Sequence, residues 1–306
     1  MRKFLIKVGL FFCVILAIDI LVGFIGDHLQ ANAKGGSTKE FNDLVMEDEH
    51  DVLILGSSRA KHHYDTPFLS DTLGLDIYNA GYDGNGVVLA DGILELVLKR
   101  SKPKLIVFDV EPSFDILEYV HDNNHKRYIA DLKPYFRTKE VGRIIKDISA
   151  EEWYKVHSGM IRYNTDIIKM AIDNVITRRI NPAGYAPISG AMTKEPVVKK
   201  DKQEDIDDVK LEYVRRLIDL AIKKDVPIIL VASPKYAVTS SEIMTPVRKI
   251  CEEKEVPFWD YYADSIFMNH PDWFKDPMHL NATGARDFSR MIIPMIVDIL
   301  QGGDCL

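Results

Sequence analysis

Two short segments, one near each end of the chain, contain the residues best suited to chemistry. Gly56-Ser57-Ser58 follows an apolar run, and Asp276-Pro277-Met278-His279 precedes the last predicted helix. A serine hydroxyl becomes a nucleophile when a base removes its proton. An aspartate three residues before a histidine can accept the proton on Nδ1 and leave Nε2 to act as that base. The spacing therefore predicts a catalytic triad of Ser58, His279 and Asp276.

Each segment also has a plainer interpretation. A serine after a strand is most often a helix N-cap, and a histidine in a loop before a helix can be incidental. Ser57 competes with Ser58 as the nucleophile. Ser58 suits the role because it opens the next helix, where its own backbone N–H can point toward a developing oxyanion. It is the better candidate because Ser57 stands where a related motif has an aspartate.

Alternating apolar runs and amphipathic stretches define the elements that must position these residues. Strands are predicted at 52–55, 105–108 and 226–231, where short apolar runs are typical of strands buried on both faces, and also at 76–79 and 256–259. Helical spacing follows at about 59–73, 87–99, 209–224 and 246–254, and a final helix runs to about Leu300. This alternation predicts the α/β class with a parallel sheet, whose sites lie at the carboxyl ends of the strands.

The alternation is interrupted from about residue 113 to residue 203. This interval contains helical stretches near 140–148 and 161–178 and a turn-rich segment at 181–187. We interpret it as a helical insertion over the active face, a lid or a substrate-contacting subdomain. The predicted organisation is thus an anchor at 1–30, a polar linker at 31–50 and a domain at 51–306.

The amino terminus has the pattern of a membrane anchor. Residues 8–26 are almost entirely apolar and follow Arg2, Lys3 and Lys7, which is long enough for a transmembrane helix and places the rest of the chain outside the cytoplasm. Asp19 interrupts the run, at a cost on the order of 2.5 to 3.5 kcal/mol at a helix centre, and its carboxylate could contact a partner's membrane helix. Cleavage after Ala33, in Ala31-Asn32-Ala33, is the alternative.

Composition excludes or weakens other functions. A formal net charge of −7 argues against nucleic-acid binding, which requires clustered Lys and Arg. His62-His63 suggests a metal site, but adjacent residues diverge on a helix and no ligand stands at helical spacing to complete one. Asp109 and Glu111 suggest paired carboxylates for glycoside hydrolysis, yet a role in positioning a loop fits the end of a buried strand better.

Taken together, Gly56-Ser57-Ser58 and Asp276-Pro277-Met278-His279-Leu280-Asn281 resemble the first and last blocks of the SGNH (GDSL-like) hydrolase superfamily. The resemblance covers about 51–108 and 227–300. It implies a flavodoxin-like three-layer sandwich, no metal or cofactor, and an oxyanion hole that includes the N–H groups of Ser58 and Gly81. The superfamily's Gly-x-Asn-Asp block has no counterpart here, and Asn85 is the nearest candidate to replace its donor.

The membrane anchor and the missing asparagine block also resemble the D-alanyl transfer proteins of teichoic-acid operons and the anchored acetylation proteins of exopolysaccharide systems. That resemblance implies an extracytoplasmic serine esterase or O-acyl transfer enzyme that acts on an acylated envelope polysaccharide. A membrane-bound O-acyltransferase is the implied partner. The alternative is a catalytically degenerate scaffold subunit of such a complex.

Overall fold

The computed structural model describes residues 1–118, 125–177, 181, 183–193, 205–238 and 240–302. The chain forms two compact units. We call Met1–Glu47 with Asn124–Ile180 the N-terminal unit, and Asp48–Asn123 with Asn181–Leu306 the sheet unit. Residues 119–124, 178–180, 182 and 194–204 of the predicted insertion lie outside the described residues.

The sheet unit contains one five-stranded sheet in which all strands are parallel. Its spatial order is β2-β1-β3-β4-β5, and the strands are β1 (Val52–Gly56), β2 (Ile77–Gly81), β3 (Leu105–Asp109), β4 (Ile228–Ala232) and β5 (Phe258–Asp260). The first four strands are buried along their whole length, as continuous apolar runs predict. The predicted α/β class with a parallel sheet is confirmed.

Fourteen α-helices occur among the described residues. In chain order they are α1 (Arg2–Ala31), α2 (Gly36–Asn42), α3 (Ser58–His63), α4 (Thr66–Leu73), α5 (Val87–Val97), α6 (Pro112–Asp115), α7 (Lys139–Ile148), α8 (Ala150–Lys155), α9 (Gly159–Tyr163), α10 (Asp166–Asp173), α11 (Asp208–Lys223), α12 (Thr245–Glu253), α13 (Ser265–Met268) and α14 (Ala282–Leu300).

The core of the sheet unit lies between alternate strand residues and the helices α3, α4 and α14. Val52, Ile54, Val107, Ile229 and Val231 share one buried cluster with apolar residues of those helices, including Leu69, Phe288, Ile292 and Ile296. Because strand side chains alternate between faces, the neighbouring strand residues point to the other face of the sheet. Elsewhere in the unit, α5 packs against α11. This core fixes the strand ends that carry the site.

The helix predicted over 59–73 is two helices in the structure. Tyr64 ends α3 in an extended conformation, and the Asp65 side chain accepts a hydrogen bond from Phe68 N–H to cap α4. Pro67 in the first turn favours a new helix start at this point. The break limits α3 to the six residues that carry Ser58 and the two histidines.

In the N-terminal unit, α1 is 30 residues long and mostly exposed, with a mean hydropathy of 2.8 over its most apolar window. It is therefore long and apolar enough to cross a membrane. The segment predicted as a polar linker is partly helical instead: α2 is followed by a π-helical turn at Asp43–Glu47. The Asp173 carboxylate explains this, since it accepts hydrogen bonds from Thr38 N–H and Oγ1–H. Because Asp173 and Thr38 are 135 residues apart in sequence, the local sequence pattern around Thr38 does not predict this contact.

Candidate active site

Ser58 lies at the carboxyl end of β1, directly after a tight turn. Gly56 has φ of 144°, and a Cβ at this position would lie 2.7 Å from Asp109 O and 2.9 Å from Ala60 Cβ. Ser57 is the N-cap of α3, and its buried Oγ accepts a hydrogen bond from Arg59 N–H at 3.2 Å. Ser57 is therefore occupied as a cap, and Ser58, the first residue of the helix, presents its side chain to the site.

The loop before α14 positions the histidine. Asn281 caps α14 by accepting from Thr283 N–H and Gly284 N–H. Asp276 Oδ1 accepts from the backbone N–H groups of Met278 and His279 at 2.8 and 3.0 Å. Both carboxylate oxygens lie 3.0 Å from His279 Nδ1, so the loop itself orients the imidazole ring.

The two segments meet across 221 residues of sequence. Ser58 Oγ lies 2.9 Å from His279 Nε2, which completes a continuous Ser58–His279–Asp276 chain of hydrogen bonds. Partial burial acts to raise the pKa of Asp276, but the hydrogen bonds from His279 and from the backbone outweigh it, so this pKa lies below its ordinary value. Asp276 is therefore ionised at neutral pH and stabilises a positive charge on His279.

The candidate oxyanion donors differ in whether they are already hydrogen bonded within the protein. Ser58 N–H opens α3 and has no acceptor within its own helix. Gly81 N–H donates to Asn79 Oδ1 at 2.9 Å, and Asn85 Nδ2 donates to Asp83 O at 3.3 Å. Ser58 thus retains a donor for an oxyanion. The single N–H of Gly81 is engaged with Asn79, and Asn85 Nδ2 uses one of its two N–H groups on Asp83 O.

A buried polar network supports the triad, and sequence reasoning missed it. Leu280 N–H donates to His63 Nε2 at 3.0 Å, so His63 Nδ1 carries the ring proton and donates to Ser233 Oγ at 2.9 Å. Ser233 Oγ–H in turn donates to Asp109 Oδ2 at 2.9 Å. Burial, then the nearby Arg59 charge, holds the pKa of His63 well below its ordinary value. A neutral His63 therefore links α3 to the residue that follows His279.

Asp109 and Glu111, the two carboxylates considered in the sequence, are buried, and Arg59 is buried as well. Arg59 is fully buried and donates from Nη2 to Ser233 Oγ at 3.1 Å, which places it beside the Asp109 carboxylate rather than at the surface. Burial raises the pKa of Asp109 to about 6, against the opposing effects of Arg59 and of the hydrogen bonds from Ser233 and Tyr64. Glu111 is buried as well and caps α6 by accepting from Phe114 N–H. The hydrogen bonds of Asp109 and Glu111 thus hold neighbouring segments of the backbone in position.

The rim of the site is formed by α3 and a segment that follows the N-terminal unit in sequence. His62 Nδ1 lies 2.6 Å from Ala186 O, and His62 Nε2 lies 3.2 Å from Asp83 Oδ1. The rings of His62 and His279 are edge to face, with centroids 5.5 Å apart. Among the residues that the structure describes, no group of three or more His, Cys, Asp or Glu side chains is placed to hold a metal ion.

Comparison of the chain with protein-family models and with curated proteins finds no match. The geometry of the site therefore carries the argument about function.

Proposed function

We propose that the protein is a serine esterase or O-acyl transfer enzyme of the SGNH type. The observation that carries this proposal is the hydrogen-bonded chain from Ser58 through His279 to Asp276 at the carboxyl end of β1. The strand order β2-β1-β3-β4-β5 matches that of flavodoxin-like sheets, which supports the three-layer arrangement that the SGNH resemblance implies.

In the proposed reaction, His279 Nε2 removes the proton from Ser58 Oγ as the oxygen attacks the acyl carbonyl carbon of an ester. The tetrahedral intermediate carries its negative charge toward Ser58 N–H. Collapse breaks the bond to the alcohol, which takes the proton from His279 and leaves an acyl-Ser58. A water molecule or an acceptor hydroxyl, deprotonated by His279, then attacks this acyl group and regenerates the serine.

We propose that this reaction takes place at the outer surface of the cell membrane, and the N-terminal helix supports this location. We infer a single-pass anchor with the sheet unit outside the cytoplasm, and an acylated envelope polysaccharide as substrate, with a membrane-bound O-acyltransferase as partner. Ala33 is buried, with 6% of its surface exposed, and α1 contacts α9 and α10 extensively. Both features favour retention of α1 over cleavage after Ala33.

A second function, that of a non-catalytic subunit of a polysaccharide-acylation complex, rests on a different observation. The N–H of Gly81 and the amide of Asn85 are already hydrogen bonded, and the loss of one oxyanion donor costs about 2.7 to 4 kcal/mol of transition-state stabilisation. An enzyme with this arrangement turns over slowly until a substrate or partner releases a donor. A scaffold does not form an acyl-serine at all.

Labelling of the full chain with a fluorophosphonate distinguishes the two functions, because this reagent requires an activated serine but no second substrate. We expect one covalent adduct on Ser58 and its loss in Ser58→Ala and in His279→Ala. Ser57→Ala is the matched control, since Ser57 is a helix cap, and it should remain labelled. An adduct on Ser57, or one that persists in Ser58→Ala, contradicts the enzyme proposal; absence of any adduct in the folded wild type favours the scaffold.

A further inference from the structure

Helix α10 has an inverted distribution of polar and apolar side chains. Its buried residues are Met170 and the acidic Asp173, and Asp173 holds the start of α2 through Thr38. The exposed side of the helix carries Ile168 and Ile172, which are four residues apart and are 66% and 53% exposed. Val175 and Ile176 follow in the turn after the helix and are 80% and 38% exposed. A helix that faced water would have the opposite pattern.

Helix α9 extends this apolar surface toward α1. Met160 and Ile161 are 47% and 49% exposed. On its other side α9 packs against α1 through small residues: the Cα of Gly159 lies 3.3 Å from the position that a Cβ on Gly23 would occupy. Close approach through glycines is typical of helices that associate inside a membrane.

The acidic residues of α1 are covered by the same segment. Asp19 accepts hydrogen bonds from Ser158 Oγ–H at 2.6 Å, Met160 N–H at 2.9 Å and Gly159 N–H at 3.3 Å. Asp27 accepts from Tyr163 Oη–H at 2.5 Å and pairs with Arg162 at 3.1 Å. Asp19 therefore finds its polar partners within its own chain, whereas the sequence suggested a partner's membrane helix. A carboxylate that is covered in this way tolerates the edge of a bilayer.

The exposed residues of α1 beside these contacts are apolar as well. Ile20, Leu21 and Phe24 are 63, 56 and 71% exposed, and they lie within the same two turns as the contacts to α9. The apolar surfaces of α9 and α10 are thus continuous with a helix that is long and apolar enough to cross a membrane. An apolar surface of this kind favours lipid over water by about 25 cal/mol for each Å² that is covered.

We propose that α9, α10 and the turn that follows α10 lie in the outer interface of the lipid bilayer, with Met160, Ile161, Ile168, Ile172, Val175 and Ile176 in contact with acyl chains. An amphipathic helix in this position buries its apolar face to a depth of about 5 to 10 Å. The N-terminal unit is then seated in the membrane over a broad surface instead of being tethered by one helix. This inference rests on the proposed membrane anchor and is independent of the catalytic proposal.

The test uses the full chain, reconstituted alone into phospholipid vesicles, with its three native cysteines replaced and a single cysteine labelled with an environment-sensitive fluorophore. Ile172→Cys probes the proposed lipid face. Ile222→Cys on α11 is the matched control, since Ile222 is also an isoleucine and is 50% exposed. A third protein retains only the native Cys13, which lies exposed on α1, and so tests the anchor separately.

We expect the label at position 172 to be quenched by nitroxide-bearing lipids and protected from aqueous iodide, and the label at 222 to show the reverse. Strong iodide quenching at 172, with lipid quenching at Cys13, overturns the inference while leaving the anchor intact. Iodide quenching at both 172 and Cys13 overturns the anchor and the inference with it, and fluorophosphonate labelling of Ser58 is unaffected by either result.

Discussion

Charged side chains that face inward make different kinds of contacts in the two units of the chain. In the sheet unit, Asp109 and Arg59 are buried where β3 and β1 end, and their hydrogen bonds converge on Ser233 and, through it, on His63. In the N-terminal unit, Asp173 and Asp19 accept backbone N–H groups at the starts of α2 and α9. Carboxylates thus lie beside the candidate site in one unit and join distant helices in the other, where Asp173 is buried and Asp19 is partly exposed.

The two units also differ in which side chains they expose. In the sheet unit, strands β1 to β4 are buried along their whole length, as expected of a domain that folds in water. The N-terminal unit presents isoleucine and phenylalanine side chains outward and turns acidic residues inward. A single chain therefore contains one region organised for an aqueous environment and one whose exterior is suited to lipid, and substitutions should affect them in separate ways.

The largest expected effect is in the sheet unit, on catalysis. Asp276→Asn removes the carboxylate that faces His279 Nδ1 at 3.0 Å, and the amide cannot stabilise the imidazolium formed when Ser58 is deprotonated. We expect kcat for p-nitrophenyl acetate to fall by about 10⁴-fold, as for the equivalent change in a serine protease triad. The measurement is steady-state hydrolysis by the full chain in detergent.

Asp272→Asn is the control for this loop, because Asp272 is an exposed carboxylate near another histidine, His270, at 3.6 Å. It should retain wild-type turnover. Equal rates for Asp276→Asn and Asp272→Asn would remove Asp276 from the triad.

An intermediate effect is expected on the pH dependence of stability. Burial raises the pKa of Asp109 from 3.8 to about 6, so between these values the folded state holds a proton that the unfolded state has released. The free energy of unfolding therefore falls as pH rises through this window, by about 3 kcal/mol from this group. Asp109→Asn lacks that loss, so urea denaturation should show its stability relative to wild type improving by about this amount between acidic and neutral pH.

The exposed Asp71 on α4 provides the comparison for Asp109. Asp71→Asn should follow the wild-type stability profile with pH, because its carboxylate is exposed in the folded state. Parallel profiles for wild type and Asp109→Asn would show that Asp109 does not hold a proton in the folded protein. Burial would then not raise the pKa of Asp109 as described.

The sequence predicts the sheet unit much better than the N-terminal unit, for physical reasons. Continuous apolar runs mark strands buried on both faces, and Ser58, Asp276 and His279 stand in short motifs at element ends. The role of His63 was not predictable, because it depends on the Leu280 N–H group, 217 residues away. The predicted insertion contains the inward Asp173 and the outward Ile172. Asp173 bonds to Thr38, which lies 135 residues away in the predicted linker, so local sequence pattern does not reveal that contact.

The smallest expected effect tests the helix contact in the N-terminal unit. In Gly159→Ala, the new Cβ would lie within 3.0 Å of backbone atoms of Gly23 and Asp19, and backbone atoms of a helix cannot move aside as a side chain can. Overpacking of this kind typically costs about 1 to 3 kcal/mol. The gain in helix propensity from Gly to Ala, about 1 kcal/mol in a helix interior, offsets part of this cost, so we expect a modest fall in Tm of the full chain in detergent.

Gly9→Ala on α1 is the matched control, because no atom lies within 4 Å of its new Cβ, and it should keep or slightly raise Tm. Fluorophosphonate labelling of Ser58 should be unchanged in both variants. Equal Tm values for the two would mean that α1 and α9 are not closely packed and that Asp19 is not held by this segment.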